Sequence, residues 1–316
     1  MDRLTSDREI LTHGVGAVSR RRDIVRVFGA DAESFLQTQV TQDVSGLAPG
    51  ESRWSFILEP KGRVDAIVRV WGRLGGSEIL LDVGEGAGQS VVDRLNRFRI
   101  RTKVELELFS WDCVALRGPQ SETAAEEGFH SELRANSPWN AVLGVDLLGP
   151  SVVIPENIPE LAPESLEALR VESGWPAMGH EFGEFVDPLP IPGEVGVGVV
   201  LAAVSFTKGC YTGQEIVVRT HSRGNNTPRR LRRLQIEGEP VPPVGSDIAF
   251  GGEVRGTLTS IAPALGGGQM GLGFIHRSVE ENAVGVIEWD SGDPSGPHRS
   301  NVTLVESSDS AAGPAA

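Results

Sequence analysis

The chain has 316 residues and two cysteines, and one of these, Cys210, stands between Gly209 and Tyr211 in TKGCYTGQEIVV (207–218). A thiol reacts and ligates as its thiolate, and the neighbouring residue types favour that form. Thr212-Gly213-Gln214-Glu215 fits the S/T-x-x-E capping box, which predicts a helix start just after Cys210, with its partial positive end turned to the sulfur. Lys208, two residues earlier, shares a face with Cys210 if the backbone is extended. Gly209 and Gly213 let the backbone approach a ligand closely. The competing reading is a small buried thiol that fills space in a tight glycine turn.

A second group of candidates is cationic. Arg219, Arg223, Arg229, Arg230, Arg232 and Arg233 crowd into RTHSRGNNTPRRLRR, directly after the cysteine segment. Planar guanidinium groups suit carboxylate-type anions, and a solvated face is the alternative. Arg20-Arg21-Arg22 forms another knot, read as a solvated face. The whole chain carries a net charge of −14, which disfavours direct, sequence-independent nucleic-acid binding. Cys113 and Cys210 match no zinc spacing and there is no CxxC, so no metal site is expected. So few cysteines suit a reducing compartment. MDRLTSDREI lacks a signal-peptide core, and no run of about 18 apolar residues predicts a membrane span. The expectation is a soluble cytoplasmic protein.

The elements that must hold these groups are partly legible. IVRVF (24–28) reads as a strand, and Asp31 as the N-cap of a helix burying Phe35, Leu36 and Val40. WSFIL (54–58) and VDAIVRVW (64–71) are strands joined by the EPKGR turn, and EILLDV (78–83) is a further strand. GQSVVDRLNRFR reads as a helix and KVELELF as a strand, so the order resembles a ferredoxin-like unit with an extra strand. DCVALRG (112–118) is taken to start a new strand, followed by a small acidic helix. ESLEALRVESG reads as a helix ending at Gly174, between proline-rich segments. After Pro228, six short strands with Gly and Pro punctuation predict a small antiparallel barrel or sandwich. SSDSAAGPAA is read as a disordered tail.

Lys208-Gly209-Cys210-Tyr211-Thr212-Gly213-Gln214-Glu215 resembles the signature of the YgfZ-type folate-binding proteins, relatives of the glycine-cleavage T-protein (aminomethyltransferase). FGADAESFLQTQVTQDVSGLAPG with FILEPKGRV, LRVESGWPAMGHEF and PIPGEVGVG resemble further family segments in the family's order, from about Val25 to Glu306. The resemblance implies an α+β fold: a three-subdomain cloverleaf of ferredoxin-like α/β units around a central channel, with a C-terminal antiparallel β-barrel. The division is an N-terminal segment 1–23, a folate-binding region 24–228 split near 111, a barrel 229–306 and a tail 307–316. Glu194 matches the carboxylate that holds the pterin of tetrahydrofolate or a derivative, and a carboxylate accepts both donors of a pterin edge. Arg229 or Arg230 matches a folate-site arginine. Gly209, Tyr211 and Gln214 of the motif are further candidate cofactor-binding residues, and Glu181 is a candidate lining residue. Asp65 falls at the loop of the T-protein's catalytic acid; its other reading is a half-exposed strand residue. Arg170 and Glu172 are read as structural. The resemblance implies a folate-binding accessory factor for iron–sulfur enzymes, and through them tRNA modification, with iron–sulfur proteins or their assembly machinery as partners and Cys210 as the working thiol. A folate-dependent aminomethyl transferase is the alternative.

Overall fold

The computed structural model describes residues 3–72, 78–290, 292 and 296–305. The tail expected at 307–316 lies outside the described residues. The fold is mixed α+β, a curled sheet followed by a closed barrel.

Two 13-residue strands, β1 (Gly16–Phe28) and β5 (Glu105–Arg117), pair antiparallel along their whole length. Around them the sheet adds β2 (Ser52–Leu58), β3 (Val64–Gly72), β4 (Glu78–Gly84), β6 (Leu133–Asn136) and β7 (Gly144–Gly149), in the order β2-β3-β4-β1-β5-β7-β6. Strand alternation divides the side chains between two faces. On one face Val25, Val27, Val68, Val70 and Leu81 pack under α2 (Ala32–Gln39) and α3 (Gly88–Phe98). Farther along the same face Ala17, Val114, Leu116 and Leu147 pack under α4 (Ser121–Glu126). The other face, with Val18, Phe56, Ile67 and Ala115, shares a core with α5 (Pro163–Glu172), α6 (Val197–Ala203) and barrel residues Leu272 and Phe274.

Three expectations are corrected here. KVELELF and DCVALRG are one strand, because the polar stretch between them is held in register: Arg21 donates to Ser110 Oγ at 3.2 Å and pairs with Asp112. β1 begins eight residues before Ile24, and α1 (Arg3–His13) precedes it, pinned by buried Asp7, which accepts from Ala162 N and Ser165 Oγ. The Arg20–Arg22 knot is not a solvated face. Alternation leaves Arg21 45% exposed but turns Arg22, 14% exposed, inward onto Asp82. Arg20, Arg69 and Arg117 converge on Asp146 at 3.7, 3.8 and 2.9 Å. Burial alone would raise the Asp146 carboxyl, but the three guanidinium groups hold it down at about 2.

The barrel is built as the periodicity predicts. β8 (Arg229–Glu237), β9 (Asp247–Phe250), β10 (Glu253–Pro263), β11 (Gln269–His276), β12 (Val284–Trp289) and β13 (His298–Leu304) close in the order β10-β11-β8-β13-β12-β9. Leu234, Ile236, Ile248, Leu258, Ile275 and Ile287 form its core. Closure removes the open edges that such short strands would otherwise expose.

Candidate functional site

The segment DPLPIPGE (187–194) carries Glu194 between the sheet and the barrel. Its prolines donate no N–H, and their carbonyls and neighbours serve as acceptors. Val64 N donates to Pro190 O at 2.8 Å, Arg63 Nη1 to Leu189 O at 2.7 Å, and Arg229 Nη2 to Pro188 O. Pro192–Glu194 is one turn of 3-10 helix, with the proline at its first position, where no N–H is missed. Gly193 has room only for hydrogen, since a Cβ there would lie 2.8 Å from Thr220 Cγ2.

This framework leaves Glu194 4% exposed. Its Oε2 accepts from Ile191 N at 3.2 Å and from Arg229 Nε at 3.3 Å, with Arg63 Nη1 at 4.0 Å. Arg229 lies over the Phe274 ring at 4.8 Å. Among the described residues, Oε1 receives no hydrogen bond. Of the two candidate arginines, Arg229 therefore reaches Glu194. Arg230, next along β8, points to the opposite side and donates to Asn225 O. Arg63 was not among the residues singled out. It sits in the EPKGR hairpin, whose turn character was legible, but nothing in the sequence ties it to a carboxylate 131 positions later.

The cysteine segment runs alongside. Cys210 is exposed and free. The expected capping box does not form: α7 (Gln214–Ser222) starts one residue later, with Gly213 at the N-cap in the left-handed region (φ 80°) and no side-chain cap. The physical reason is contact. Gly213 sits so close to the Glu59–Gly62 hairpin turn that a Cβ would lie 2.8 Å from Glu59 O. Thr212 N donates instead to Thr38 O at 3.0 Å.

Lys208 does not share the exposed face of Cys210. It is buried, and its Nζ donates to Val40 O at 2.9 Å and Gln42 O at 2.7 Å. Val40 is the C-cap of α2, an end that attracts a cation. Burial pushes the Lys208 ammonium down to about 8 against the opposing pull of Asp43. Lys208 thus ties the cysteine segment to α2. The Tyr211 ring lies 5.4 Å from Lys208 Nζ, its hydroxyl is buried without a hydrogen-bond partner, and burial raises it to about 12. A Cβ at Gly209 would meet nothing within 4 Å, so that side of the motif is open. Gln214 is half-buried at the helix start. The stacked rings of Phe206 and His221, 3.8 Å apart, close the other flank. Cys113, by contrast, is buried in the sheet, and burial pushes its thiol up.

Not all candidates meet. Gly193 packs at Thr220, six residues into α7, so about 9 Å of helix axis separates that contact from the helix start near Cys210. Asp65 is the bulged residue opposite the Ile57/Leu58 step and pairs with Arg94 Nε of α3 at 3.3 Å. Glu181 is 0% exposed and closed: Oε2 accepts from Arg170 Nη1 and Ala177 N, and Oε1 from Thr259 and Ser260 hydroxyls. Burial would raise its carboxyl, but Arg170 and these donors bring it below the usual range. Glu172 accepts from Leu265 N and, through its carbonyl, from Arg233 Nη1, a structural role as expected.

The GCVT N-terminal domain profile matches residues 18–154. The chain is 30% identical over 287 residues to the mouse (Mus musculus) "Iron-sulfur cluster assembly factor IBA57, mitochondrial", covering 82% of this chain and 76% of that one. It is 27% identical over 300 residues to the "tRNA-modifying protein YgfZ" of Klebsiella pneumoniae (strain 342), covering 85% and 87%. Its fold matches the glycine cleavage system aminomethyltransferase T of Bartonella henselae with a TM-score of 0.75 at 15% identity, over 96% of this chain and 88% of that one. Among the described residues no helix is long and apolar enough to cross a membrane. The chain belongs to the family that includes the glycine-cleavage T-protein, YgfZ and IBA57.

Proposed function

We propose that the chain is a folate-binding accessory factor of the YgfZ type that supports iron–sulfur enzymes, with Cys210 as its working thiol. In this reading the two halves of the sheet, split near residue 111, and the barrel from Arg229 are the three lobes of a cloverleaf around a ligand channel. The observation that carries it is Glu194: a buried carboxylate fixed through one oxygen by Arg229 and Ile191 N, with the other oxygen left without a donor. That oxygen is not sealed from solvent, so a ligand donor can reach it without displacing a protein partner. A pterin edge offers N–H and NH₂ donors of that kind. Glu194 would hold the pterin, Arg229 and Arg63 would orient its carboxylate, and Phe274 would wall the site beside Arg229. Tetrahydrofolate, when bound, supplies a carrier for one-carbon units.

Cys210 stands on a segment anchored by Lys208, Tyr211 and the Thr212–Thr38 bond, so its exposed thiol is held in place without being buried. Such a thiol suits transient ligation of, or redox exchange with, an iron–sulfur client in a reducing compartment such as the cytoplasm. The transferase alternative draws less support, because Asp65 is engaged by Arg94 on the α3 side of the sheet. The test is calorimetric titration with tetrahydrofolate. Wild type is expected to bind, and Glu194→Ala to lose about tenfold to a hundredfold in affinity. In cells lacking the protein, Cys210→Ser is expected to lose rescue of iron–sulfur enzyme activity while keeping its folate affinity. Unchanged affinity in Glu194→Ala overturns the folate assignment, and full rescue by Cys210→Ser overturns the thiol's role.

A further inference from the structure

β8 sorts the arginines of PRRLRR by strand alternation. Odd positions face the α/β part: Arg229 meets Glu194, buried Leu231 joins the main core, and Arg233 donates to Glu172 O. Even positions face the inside of the barrel: Leu234 and Ile236 are in its core, and Arg230 and Arg232 continue that row to its end. There a cavity of about 220 Å³ is lined by Arg230, Arg232 and Arg277, with His276, Asn226 and Ile275. Ile275 is core residue and register partner of Arg230, so the floor of the cavity is the apolar barrel interior.

The charges do not cancel. Arg232 pairs with Glu281 at 3.1 Å. Arg230 donates to Asn225 O and Arg277 to Asn226 Oδ1 at 2.6 Å, and among the described residues neither pairs with a carboxylate. Three guanidinium groups against one carboxylate leave the mouth at +2 in a chain of net −14. Arg230 and Arg277 are exposed to water, and an anion seated between them and Arg232 is attracted by all three. Guanidinium forks match phosphate oxygens in geometry as well as charge. The cavity is below the roughly 300–1,000 Å³ of sites for drug-sized ligands, so it suits a phosphate group more than a whole cofactor. The strongly acidic remainder of the surface disfavours a polyanion such as nucleic acid.

We propose that this barrel mouth is a binding site for phosphate, either free or as the phosphate group of a small ester, separate from the Glu194 site. It goes beyond the folate reading and does not depend on it.

The test is calorimetry on the full chain with inorganic phosphate and, in parallel, with glycerol 3-phosphate. Wild type is expected to bind one or both in the millimolar range or tighter. Arg230→Gln combined with Arg277→Gln is expected to weaken this at least about tenfold, while Arg255→Gln, a surface arginine on β10 paired with Glu253, changes nothing. Thermal melts of the double variant check that it folds. Equal binding of both probes supports a site for free phosphate, and preference for the ester supports a phosphorylated small molecule. Absence of wild-type binding at about 10 mM of either probe, equal binding by the double variant, or an equal loss in Arg255→Gln overturns the proposal. So does binding of a single-stranded oligonucleotide with neither small phosphate bound.

Discussion

Glu181 and Glu194 are both buried and both paired with an arginine, yet their surroundings differ in one respect. Glu181 has two donors on each oxygen: Arg170 and an amide on one, two hydroxyls of β10 on the other. Glu194 has its partners on one oxygen only. A carboxylate with every acceptor filled holds elements together, here α5 and the barrel. A carboxylate with an oxygen to spare is anchored but still able to receive a ligand. Burial and a charge partner therefore do not by themselves single out a binding residue; under the folate proposal the unused acceptor is what sets Glu194 apart.

The comparison breaks most readily at Glu181. Glu181→Ala removes one of the two carboxylates of buried Arg170, which keeps Glu167 and Trp175 O, and takes an acceptor from the Thr259 and Ser260 hydroxyls and from Ala177 N. The expected cost is about 2–4 kcal/mol in urea unfolding. Glu194→Ala leaves Arg229, which is more exposed and keeps its bond to Pro188 O, so about 1–2 kcal/mol is expected. Equal costs at the two positions would end the distinction between a closed and an open carboxylate.

Acid sharpens it. The folded carboxyl of Glu181 lies below its ordinary value, so its stabilisation is complete above the ordinary glutamate range and is lost as pH falls through that range and below. Asp146, held at about 2, adds the same sign of dependence at lower pH. Unfolding free energies measured from pH 6 down to about 3 should fall less steeply for Glu181→Gln than for wild type. Parallel slopes would mean that Glu181 contributes no pH-dependent stability.

The sequence made these differences only partly visible. The barrel strands were legible because alternating apolar residues and Gly/Pro punctuation are local signals. β5 was not, because Ser110 and Asp112 interrupt the apolar pattern and are kept in the strand by Arg21, 89 and 91 positions away. The inward turn of Arg20 and Arg22 was hidden for the same reason: it depends on Asp146 and Asp82, which alternation places opposite only once the sheet is assembled. Lys208 was recognised by its motif, but its task, capping α2, rests on carbonyls 168 and 166 positions earlier. Glu181 and Glu194 both stood in recognisable segments. What separates them is a count of donors, which no single segment contains.

Asp65 gives the smallest and most discriminating effect. Its carboxylate pairs with Arg94, whose guanidinium also donates to Leu58 O and Gln39 Oε1 and lies 3.9 Å from the Phe98 ring centroid. Arg94 therefore keeps partners when the charge opposite is removed, and Asp65 itself is one-third exposed, where solvent weakens the pair. Asp65→Asn should cost no more than about 1 kcal/mol of stability. It should leave tetrahydrofolate affinity unchanged, since the pair lies against α3 while Glu194 is held by Arg63, Arg229 and the proline segment. A loss of folate affinity comparable to that of Glu194→Ala would place Asp65 at the ligand after all. The bulge at the start of β3 would then position a second acid for folate chemistry, and the transferase reading would gain the residue it now lacks.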